Sequence, residues 1–554
     1  MSGAVLDDEI VASPAVAEGE GLLNWVASVD HKKIGLMYLI SGFVFFAIGG
    51  FEALLMRLQL AWPRLNVLAP DTYNQLFTMH GTTMIFLVAT PWLVGIATYL
   101  VPLMIGARDM ALPRLNALSF WIQAFGGVMM YFSFIAGGAP NVGWFAYAPL
   151  SLRSFSPLAG VDYWAFGLLA IGIGTLAAGI NFIVTIVTLR APGMTMRRVP
   201  LFVWMMFIDA WLILLAMPVL NASLVLLLVD RYMDANIFNA AAGGSAVLWQ
   251  HYFWAFGHPE VYILVLPAFG IISEVIPVFS GKPIFGYEFV AGSTLVIGFL
   301  SFAVWAHHMF AVGLGHAFDL AFAAGTMLIA VPTGVKIFSW TATMFGGCIR
   351  FTTAMLFAVG FLVMFTIGGL SGVTFAVVPI DWQMTDSYYV VAHLHYVMFG
   401  GTLFAIFAGF YYWYPKFTGR MLSEKWGRVH FWLTVVGFNG TFLVQHLLGM
   451  MGMPRRVYTY PDLPWWGSLN FISTAGAFTL SASVLLFLWI VLSSRRTGMP
   501  AGNNPWGGWT LEWATTSPPP AENFDLVPPI RGRRPLWDLT HPDRTDAIMS
   551  ARAK

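Results

Sequence analysis

The sequence is poor in cysteine and in charge, and both shortages narrow its class. One cysteine, Cys348, among 554 residues excludes a disulfide framework and any thiolate metal cluster made by this chain alone. Charged residues make up 10% of the chain, whereas soluble domains carry about 25%. The formal net charge of +1 gives no basis for a nucleic-acid partner. An ordinary soluble domain is therefore excluded, and we expect no nucleic-acid ligand.

The two ends of the sequence lack the features of targeting peptides and of folded domains. The start, MSGAVLDDEIVASPAVAEGEG, is acidic and has no apolar core, so neither a cleavable signal nor an Arg-rich transit peptide is predicted. We expect residues 1–29 to form a cytoplasmic extension. Residues 494–554 are rich in Pro, Gly and charge, and we expect a cytoplasmic tail lying on the surface or on partners.

Apolar residues are abundant, at 58% of the chain. Windows of about 20 apolar residues are long enough to cross a bilayer as helices. We find twelve such windows, near 34–56, 77–104, 119–138, 163–189, 201–229, 248–276, 289–311, 317–340, 352–374, 387–412, 431–452 and 471–492. The pattern predicts an all-α integral membrane protein with twelve transmembrane helices and one membrane domain over residues 30–493.

The distribution of Lys and Arg predicts the orientation of these spans. If the N-terminus is cytoplasmic, fifteen Lys and Arg residues fall on the inner side and six on the outer side. The six are Arg57, Arg64, Arg153, Arg231, Arg455 and Arg456. An excess of positive charge marks the cytoplasmic side of membrane proteins, so both termini are predicted to be cytoplasmic.

Six of the twelve histidines are predicted to lie at one depth. Counting about 1.5 Å per residue along each span places all six in the outer half of the membrane. They come from four spans: His80, His258, the pair His307 and His308, and the pair His393 and His395. A single buried histidine is more often a hydrogen-bonded core residue than a ligand. Six at matched depth favour metal binding, because imidazole suits iron and copper.

The spacing of these histidines separates them into sites. His393 and His395 project about 200° apart on a helix, so they can serve two sites on opposite sides of one span. His307 and His308 project about 100° apart and can share a metal only if the backbone is locally distorted. With His258 they offer three imidazoles to a copper-like ion. One planar macrocycle could lie between His80 and one histidine of span ten, and the remaining histidine of span ten could bind a second macrocycle. This arrangement would make a redox protein with two haems.

Three ionisable residues in or beside the spans suggest proton movement, since such groups are costly in a bilayer unless they are functional. Glu260 is predicted at mid-membrane, Lys336 in the inner part of span eight, and Asp109 at the inner mouth after span two. The alternatives are an unseen partner for Glu260, snorkelling of Lys336 to the interface, and capping of the next helix by Asp109. Tyr262, four residues after His258, faces the same way, either as a proton and electron donor or as a structural hydroxyl.

Six motifs in order along the chain carry a family resemblance: MHGTTMIF, GHPEVY, WAHHMF, VPTGVK, VVAHLHYV and GMPRRVY. They resemble subunit I of the haem–copper terminal oxidases, most closely the A-type bacterial cytochrome c oxidases. The resemblance runs from about Asp30 to about Ser493. It implies a proton-pumping respiratory enzyme of the bacterial cytoplasmic membrane that reduces O2 to water with electrons from cytochrome c.

The resemblance also implies roles for individual residues. The low-spin haem iron would bind His80 and His395, the high-spin haem iron His393, and copper His258, His307 and His308. His258 would be cross-linked to Tyr262, which with Glu260 would act in catalysis. The proton pathways would use Asp109, Asn116, Glu260, Lys336, Thr333 and Ser273. The haem propionates would meet Arg455, Arg456, Asp381 and Trp144.

The implied cofactors are two haems of type A, one copper ion and a magnesium ion. Thr385 stands where the family usually has a histidine, which leaves Asp386 as the main magnesium candidate. The implied partners are a subunit II with the electron-entry site, a subunit III, small subunits, cytochrome c, O2 and membrane lipid. A copper electron-entry centre needs a cysteine pair, which this chain lacks.

Three other functions compete with this interpretation. A quinol-oxidising relative would share nearly all the motifs, since the electron donor docks largely on other subunits. A nitric-oxide-reducing relative is disfavoured by Glu260, Tyr262, Lys336 and Asp109 together. A transporter without redox centres often shows inverted repeats. We find no such repeat, and a transporter would leave six clustered histidines unexplained.

Overall fold

Long apolar helices follow one another along nearly the whole chain. A computed structural model of the protein describes residues 21–545, and within them the only β pairing is two isolated bridges. The helices are α1 (Leu22–Val26), α2 (His31–Gln59), α3 (Pro70–Thr83), α4 (Thr90–Ile105), α5 (Pro113–Phe132), α6 (Gly160–Thr188), α7 (Leu201–Met233), α8 (Ala246–Ser280), α9 (Tyr287–Ser301), α10 (His316–Met344), α11 (Thr353–Phe375), α12 (Val378–Met384), α13 (Tyr388–Val397), α14 (Phe404–Thr418), α15 (Glu424–Met450), α16 (Trp466–Thr497) and α17 (Pro535–Thr540).

The apolar windows predicted from the sequence all fall on these helices. Within residues 21–545, eleven helices are long and apolar enough to cross a membrane. The predicted span near 119–138 corresponds to α5, which has 20 residues and is not among the eleven. Arg114, Asn116 and Gln123 make α5 more polar than its neighbours. The all-helical membrane class is confirmed, whereas the twelve-span topology with cytoplasmic termini stays a prediction.

Helix ends follow local sequence signals. The Asp30 carboxylate accepts a hydrogen bond from the Lys32 backbone N–H at 2.8 Å, which caps the start of α2. Ser245 caps α8 through the Leu248 N–H. At the other end of α8, Gly281 adopts φ 63°, the left-handed conformation in which a helix commonly stops.

Two spans are interrupted by short π-helical segments. Met84–Ala89 joins α3 to α4, and Met398–Leu403 joins α13 to α14. Each segment begins a few residues after a predicted haem ligand, His80 in one span and His395 in the other. π-Helical turns inside α-helices occur frequently at functional sites. Neither segment was predicted from the sequence.

Two arginines that the orientation argument assigned to outer loops lie inside helices instead. Arg57 belongs to α2 and Arg231 to α7, and both are buried. Arg57 donates to the Asn470 backbone carbonyl at 2.9 Å and to Thr474 Oγ1 at 3.1 Å, both on α16. The predicted spans 34–56 and 201–229 therefore ended too early. Composition alone does not show whether an arginine at the end of an apolar stretch is buried in the helix or lies in a loop.

The C-terminal region packs across the ends of α2, α4 and α14. The Trp506 indole donates to the Tyr412 backbone carbonyl at 2.8 Å. Glu512, fully buried, accepts hydrogen bonds from Trp413 and Thr510. Lys416 Nζ donates to the Thr515 carbonyl at 2.8 Å. Residues 494–545 are therefore fastened to the helix bundle by buried polar contacts, and residues 546–554 lie outside the described part.

Candidate metal centre

Three histidines from two elements converge in the interior of the bundle. His258 lies in α8, and His307 and His308 lie in the 3-10 segment Trp305–Val312. One ring nitrogen from each lies within 4.8 Å of the other two. His258 Nδ1 is 3.4 Å from His308 Nε2, and His307 Nε2 is 3.2 Å from His308 Nε2. The sequence prediction that these three residues come together agrees with the structure.

The backbone around His307 and His308 is distorted, as their adjacency required. The chain leaves α9 at Ser301 and forms a 3-10 segment in which Met309 has non-helical angles of φ −129° and ψ 15°. The tighter winding brings the two neighbouring rings to a centroid distance of 4.4 Å. Trp254 stacks on His308 at 3.9 Å and supports that ring from the side of α8.

The nitrogen spacing fits a bound metal ion. Ligand nitrogens held about 2.0–2.1 Å from one ion in trigonal or tetrahedral geometry lie about 3.3–3.6 Å apart. Two of the three nitrogen pairs in the cluster lie 3.2 and 3.4 Å apart, and the third lies within 4.8 Å. His307 Nδ1 contacts Thr326 Oγ1 at 2.8 Å, which leaves Nε2 to face the other rings. A hydrogen bond to the second ring nitrogen is the usual support of a metal-bound histidine.

The other three histidines share one pattern of hydrogen bonding through Nδ1. His80 Nδ1 contacts the Gly49 carbonyl and His395 Nδ1 the Val391 carbonyl, each at 2.8 Å. His393 Nδ1 contacts the Gly368 carbonyl at 3.0 Å and Ser371 Oγ at 2.9 Å. A carbonyl acceptor fixes the proton on Nδ1 and leaves Nε2 as the basic nitrogen for iron. The donor set therefore fits two haems.

The six histidines form two groups on either side of α13. His393 interacts electrostatically with both His307 and His308. His395 interacts in the same way with His80 and stacks on Phe442 at 4.0 Å. The different neighbours of His393 and His395 agree with the prediction that these two histidines, two positions apart, project from opposite sides of the helix.

Tyr262 lies one turn after His258 on α8, beside the three-histidine cluster, whereas Glu260, two positions after His258, projects to the other side of the helix. The Tyr262 and His258 ring centroids are 4.8 Å apart, and His258 Nε2 has no hydrogen-bond partner within the described residues. Glu260 is buried, and within the described residues the only hydrogen bond to its side chain is a long one of 3.5 Å, from Thr90 Oγ1 to Oε1. Its Oε2 atom has no partner there. A pairing partner for Glu260, the alternative to a functional role, is therefore absent from residues 21–545.

Lys336 is buried rather than extended toward the membrane surface. Its Nζ donates to the Val290 carbonyl at 2.8 Å and to Thr294 Oγ1 at 2.5 Å, both on α9. The snorkelling alternative is thus excluded. Ser273 on α8 accepts from the Trp340 indole at 3.0 Å, and Thr333 donates to the Ile329 carbonyl on its own helix. The structure gives no direct contact among Lys336, Ser273 and Thr333.

Asp109 lies in the loop between α4 and α5, and it does not cap α5. That helix begins at Pro113 after Leu112, without a side-chain cap. The Asp109 carboxylate accepts from the Met110 N–H at 2.6 Å. Burial raises the pKa of Asp109 from its ordinary 3.8 to about 6. Asn116, one turn into α5, is buried, and its Nδ2 has no partner in the described chain.

Two arginines lie beyond the histidines in the loop after α15. Arg455 Nη2 lies 3.0 Å from Asp386 Oδ1, so this carboxylate is occupied by an ion pair. Arg456 lies over the Phe145 ring at 4.2 Å, and its Nε and Nη2 atoms have no partner within residues 21–545. Burial lowers the pKa of Arg456 to about 10. A buried guanidinium with unused N–H groups fits a carboxylate ligand such as a haem propionate.

The remaining predicted residues surround these arginines. Asp381 is buried in the first turn of α12, where burial, followed by the charge of Asp386, raises its pKa to about 7. Trp144 packs edge-on against Phe253 and Trp254 at 5.2 and 5.8 Å. Thr385 follows α12, and its backbone N–H donates to the Asp381 carbonyl at 2.8 Å. No side-chain contact of Thr385 supports a shared ion with Asp386.

Two residues that support these sites, Thr326 and Ser371, and two buried charged residues, Arg57 and Glu52, were not predicted from the sequence. Thr326 and Ser371 hold histidine rings through hydrogen bonds from other helices, and nothing in their own motifs signals this role. Arg57 is buried and has unpartnered Nε and Nη1 atoms. Glu52, on the same helix, is also buried with an unpartnered oxygen. Charge inside a predicted span was the available signal for Glu52, since such residues are rare there.

A helical membrane bundle with a three-histidine centre between its helices, beside further paired histidines, defines a membrane metalloprotein with redox capacity. The family model for Cytochrome C and Quinol oxidase polypeptide I matches residues 33–479. The chain belongs to this family of oxidoreductases.

Individual relatives agree with the family over the whole chain. Cytochrome c oxidase subunit 1 of Bacillus subtilis is 50% identical over 522 residues, covering 94% of this chain and 83% of that protein. The proteins of the same name from Bacillus sp. strain PS3 and Alkalihalophilus pseudofirmus are 51% and 53% identical, each covering 94% of this chain and 84% of the relative. A solved haem–copper terminal oxidase dimer has the same fold, with a TM-score of 0.74 at 18% identity and 84% coverage of both chains.

Proposed function

We propose that this chain is the catalytic subunit of a respiratory cytochrome c oxidase that reduces O2 to water and pumps protons. The observation that carries the proposal is the cluster of His258, which is buried, with the half-buried His307 and His308, and with His393 close enough to interact with it. Family membership and relatives named as cytochrome c oxidase subunit 1 support the same reaction. O2 is the proposed substrate, and cytochrome c the proposed electron donor.

The residues present fit two haems and one copper ion. His80 and His395 would hold the low-spin haem, His393 the high-spin haem, and the three-histidine cluster the copper. We expect haem A in both positions. When bound, these groups supply the stored electrons that cleavage of the O–O bond requires. The chain itself supplies ligand orientation, because the rings of His80, His307, His393 and His395 are each fixed by a hydrogen bond to the second nitrogen.

The chain also supplies the protons. Charge that accumulates in a low-dielectric interior is costly unless a proton balances it. Glu260 is the proposed internal proton donor, since its carboxyl group is buried on the helix that carries His258 and its Oε2 atom has no partner within residues 21–545. Asp109 and Asn116 would form its entry from the inner side. Lys336, Thr333 and Ser273 would form a second entry.

Tyr262 is proposed to supply a proton and an electron at the cluster. Its ring lies 4.8 Å from that of His258. The unpartnered Nε2 of His258 fits the proposed covalent link to Tyr262. Such a link would hold the phenol at a fixed distance from the copper ligands.

The outer arginines are proposed to neutralise haem propionates. Arg456 has free N–H groups for this role, and Arg455 already pairs with Asp386. Asp381 and Trp144 are proposed neighbours of the same propionates. A magnesium ion at Asp386 and Thr385 would have to share the Asp386 carboxylate with Arg455. Arg455 contacts Oδ1, so the ion would bind the second oxygen, Oδ2.

The proposed setting is the bacterial cytoplasmic membrane, with twelve spans and both termini on the inner side. We propose residues 1–29 as an extension, 30–493 as the catalytic domain and 494–554 as a tail. A second subunit must bring the electron-entry centre, because Cys348 is the only cysteine. A third subunit and small subunits are expected to cover the remaining apolar helix faces together with lipid.

A quinol oxidase with the same O2 chemistry is the nearest alternative. The matching family includes quinol oxidases. The relatives at 50–53% identity described above carry the name cytochrome c oxidase, which favours cytochrome c as the donor. Oxygen consumption by the purified complex with reduced cytochrome c, compared with a reduced quinol, separates the two.

The His308→Ala variant tests the proposed site directly. We expect metal analysis to show loss of copper while both haems stay and O2 reduction stops, because one of three ligands is gone. The matched control is His541→Ala, an exposed histidine near the C-terminus, which should keep all metals and activity. Copper retained at full occupancy in His308→Ala would refute the ligand assignment.

A further inference from the structure

Glu52 is a buried carboxyl group that the proposed proton pathways do not use. It lies on α2, is 4% exposed, and its Oε2 atom has no hydrogen-bond partner within the described residues. Oε1 accepts a hydrogen bond from the Tyr131 hydroxyl at 3.2 Å. A carboxyl group placed in an apolar span without a cation is a functional candidate by default.

Contacts between α2 and α3 place Glu52 at the depth of His80. The Gly49 carbonyl accepts from His80 Nδ1 at 2.8 Å. A Cβ added to Gly49 would lie 3.1 Å from Thr83 Cγ2, so Gly49 and Thr83 are in close contact. Consecutive spans run in opposite directions. One helical turn outward from Gly49 reaches Glu52, and one turn outward from Thr83 reaches His80.

A short chain of hydroxyl groups also connects Glu52 to the helix that carries His80. Tyr131 on α5 donates to Glu52 and lies 2.7 Å from Thr83 Oγ1. Thr83 follows His80 by three residues, on the same face of α3. Glu52 is thus linked to the His80 helix through the Gly49 carbonyl, one turn away on α2, and through Tyr131.

Few other ionisable groups face this part of α2. His80 approaches from α3 and Tyr131 from α5. Arg57, on α2 itself, directs its guanidinium at Asn470 and Thr474 of α16. Tyr99 of α4 packs near Gly35, about 25 Å along α2 from Glu52. No ion pair of Glu52 occurs within residues 21–545 to hold it in one charge state.

We propose that Glu52 takes up one proton when an electron resides at the His80–His395 site, and releases it when the electron leaves. The inference rests on the proposed function for the low-spin haem held there. On reduction, one electron arrives from the donor and the Glu52 carboxylate gains one proton from the aqueous phase, forming a neutral carboxylic acid. On oxidation both leave. An added negative charge in a low-dielectric region favours protonation of the nearest carboxylate.

Coupling between two sites is reciprocal, which gives the proposal its signature. If reduction of the low-spin haem raises the proton affinity of Glu52, protonation of Glu52 must raise the electron affinity of that haem. The midpoint potential of the low-spin haem should therefore rise as the pH falls. One proton per electron gives a slope of at most about 59 mV per pH unit, because a tenfold change in equilibrium for one electron corresponds to 59 mV.

The test is a spectroelectrochemical titration of the low-spin haem in the intact complex across the pH range of its stability. Glu52→Gln keeps an oxygen that can accept from Tyr131 but cannot take up a proton. We expect the wild-type slope to be lost in Glu52→Gln and kept in Glu52→Asp. Glu512→Gln is the matched control, a buried glutamate of the C-terminal region with its own unpartnered oxygen, and should keep the slope.

Redox-difference infrared spectroscopy provides a second readout that does not depend on the glutamine variant. A carboxylic acid C=O band should appear on reduction of the wild type and shift in Glu52→Asp. An equal slope in wild type and Glu52→Gln, a wild type without slope, or a wild type without this band would overturn the proposal. Absence of any low-spin haem would overturn the proposed function as well, so the two failures are distinguishable.

Discussion

At the scale of single residues, Glu260 has the strongest case for a role in proton transfer. It is buried two positions after a copper-ligand candidate, and its closest hydrogen-bond donor is 3.5 Å away. A carboxyl group with so little local support is free to change partners. Asp386, in contrast, is held by an ion pair with Arg455.

Replacing Glu260 with Gln should leave haem and copper contents unchanged but reduce O2 turnover by at least about 100-fold, the usual contribution of a positioned proton donor. Metal analysis and oxygen electrode measurements check this expectation. Glu274→Gln is the control on the same helix, because Glu274 lies about four helical turns from Glu260 and its Oε1 accepts from the Phe202 N–H at the start of α7. Normal turnover in Glu260→Gln would remove Glu260 from the mechanism.

Asp109 gives a prediction about pH. Its pKa in the folded protein, about 6, lies above its ordinary 3.8 because the group is partly buried. The folded protein therefore binds this proton more tightly than the unfolded chain does. Relative to Asp109→Asn, the wild type should lose thermal stability as the pH rises from about 4 to about 6, and change no further above that range.

Infrared titration of the Asp109 carboxyl group checks the same shift, with Asp109→Asn identifying the band. A midpoint near the ordinary value of 3.8 would contradict the burial of this group. A midpoint near 6 would leave the carboxylate ready to bind and release protons close to neutral pH, as an entry to a proton pathway requires.

At the scale of elements, each metal site depends on a helix that contributes no ligand to it. Thr326 on α10 contacts His307 Nδ1 at 2.8 Å. Ser371 on α11 contacts His393 Nδ1 at 2.9 Å. Partners of the second ring nitrogen fix the ring and raise its basicity.

Thr326→Val should therefore weaken copper binding by about 10- to 100-fold while both haems stay bound. Equilibrium dialysis against a copper chelator followed by metal analysis measures this. Thr341→Val is the matched control, because Thr341 is exposed on the same helix and donates only to the Ile337 carbonyl. Equal copper affinity in both variants would show that the contact to His307 is unimportant.

Elements and ligands were predictable from the sequence to different degrees. The spans were predictable because a membrane helix needs a long apolar stretch, and each predicted apolar window coincides with helical structure. The histidine cluster was predictable from depth and motif order. The π-helical segments, Thr326 and the carbonyl partners were not, because backbone winding and contacts across helices leave no fixed pattern. Glu52 was missed because one carboxylate hardly changes the mean hydropathy of a window.

At the scale of the whole molecule, the C-terminal region joins parts of the bundle that are far apart in sequence. Asn523 is fully buried and contacts His31 Nε2 at 2.9 Å, the Ala107 carbonyl at 2.9 Å and Lys32 Nζ at 3.0 Å. It thus fastens the region to the start of α2 and to the loop that carries Asp109. Two spans, α10 and α16, are only 22% buried over their most apolar windows, which leaves faces for lipid and partner subunits.

Asn523→Ala should lower the stability of the protein by about 1–3 kcal/mol, since it leaves buried polar partners unsatisfied. The left-handed backbone at this position, φ 65°, adds strain for alanine. Thermal unfolding in detergent and protease cleavage of the C-terminal region measure the effect. Ser517→Ala, at an exposed hydrogen bond to the Asn503 carbonyl, should change neither. An unaltered melting temperature in Asn523→Ala would contradict this anchoring role.

The most direct test of the proposed haem and copper sites is a reduced-minus-oxidised absorption spectrum of the purified complex, recorded with and without carbon monoxide. The arrangement of His80 and His395 on one side of α13, and of His393 near His307 and His308 on the other, predicts two haems. His393 would be the only protein ligand of one of them, so only one haem should bind carbon monoxide. Two haems with a single carbon monoxide site would agree with this account. The absence of haem, or of any haem that binds carbon monoxide, would contradict it.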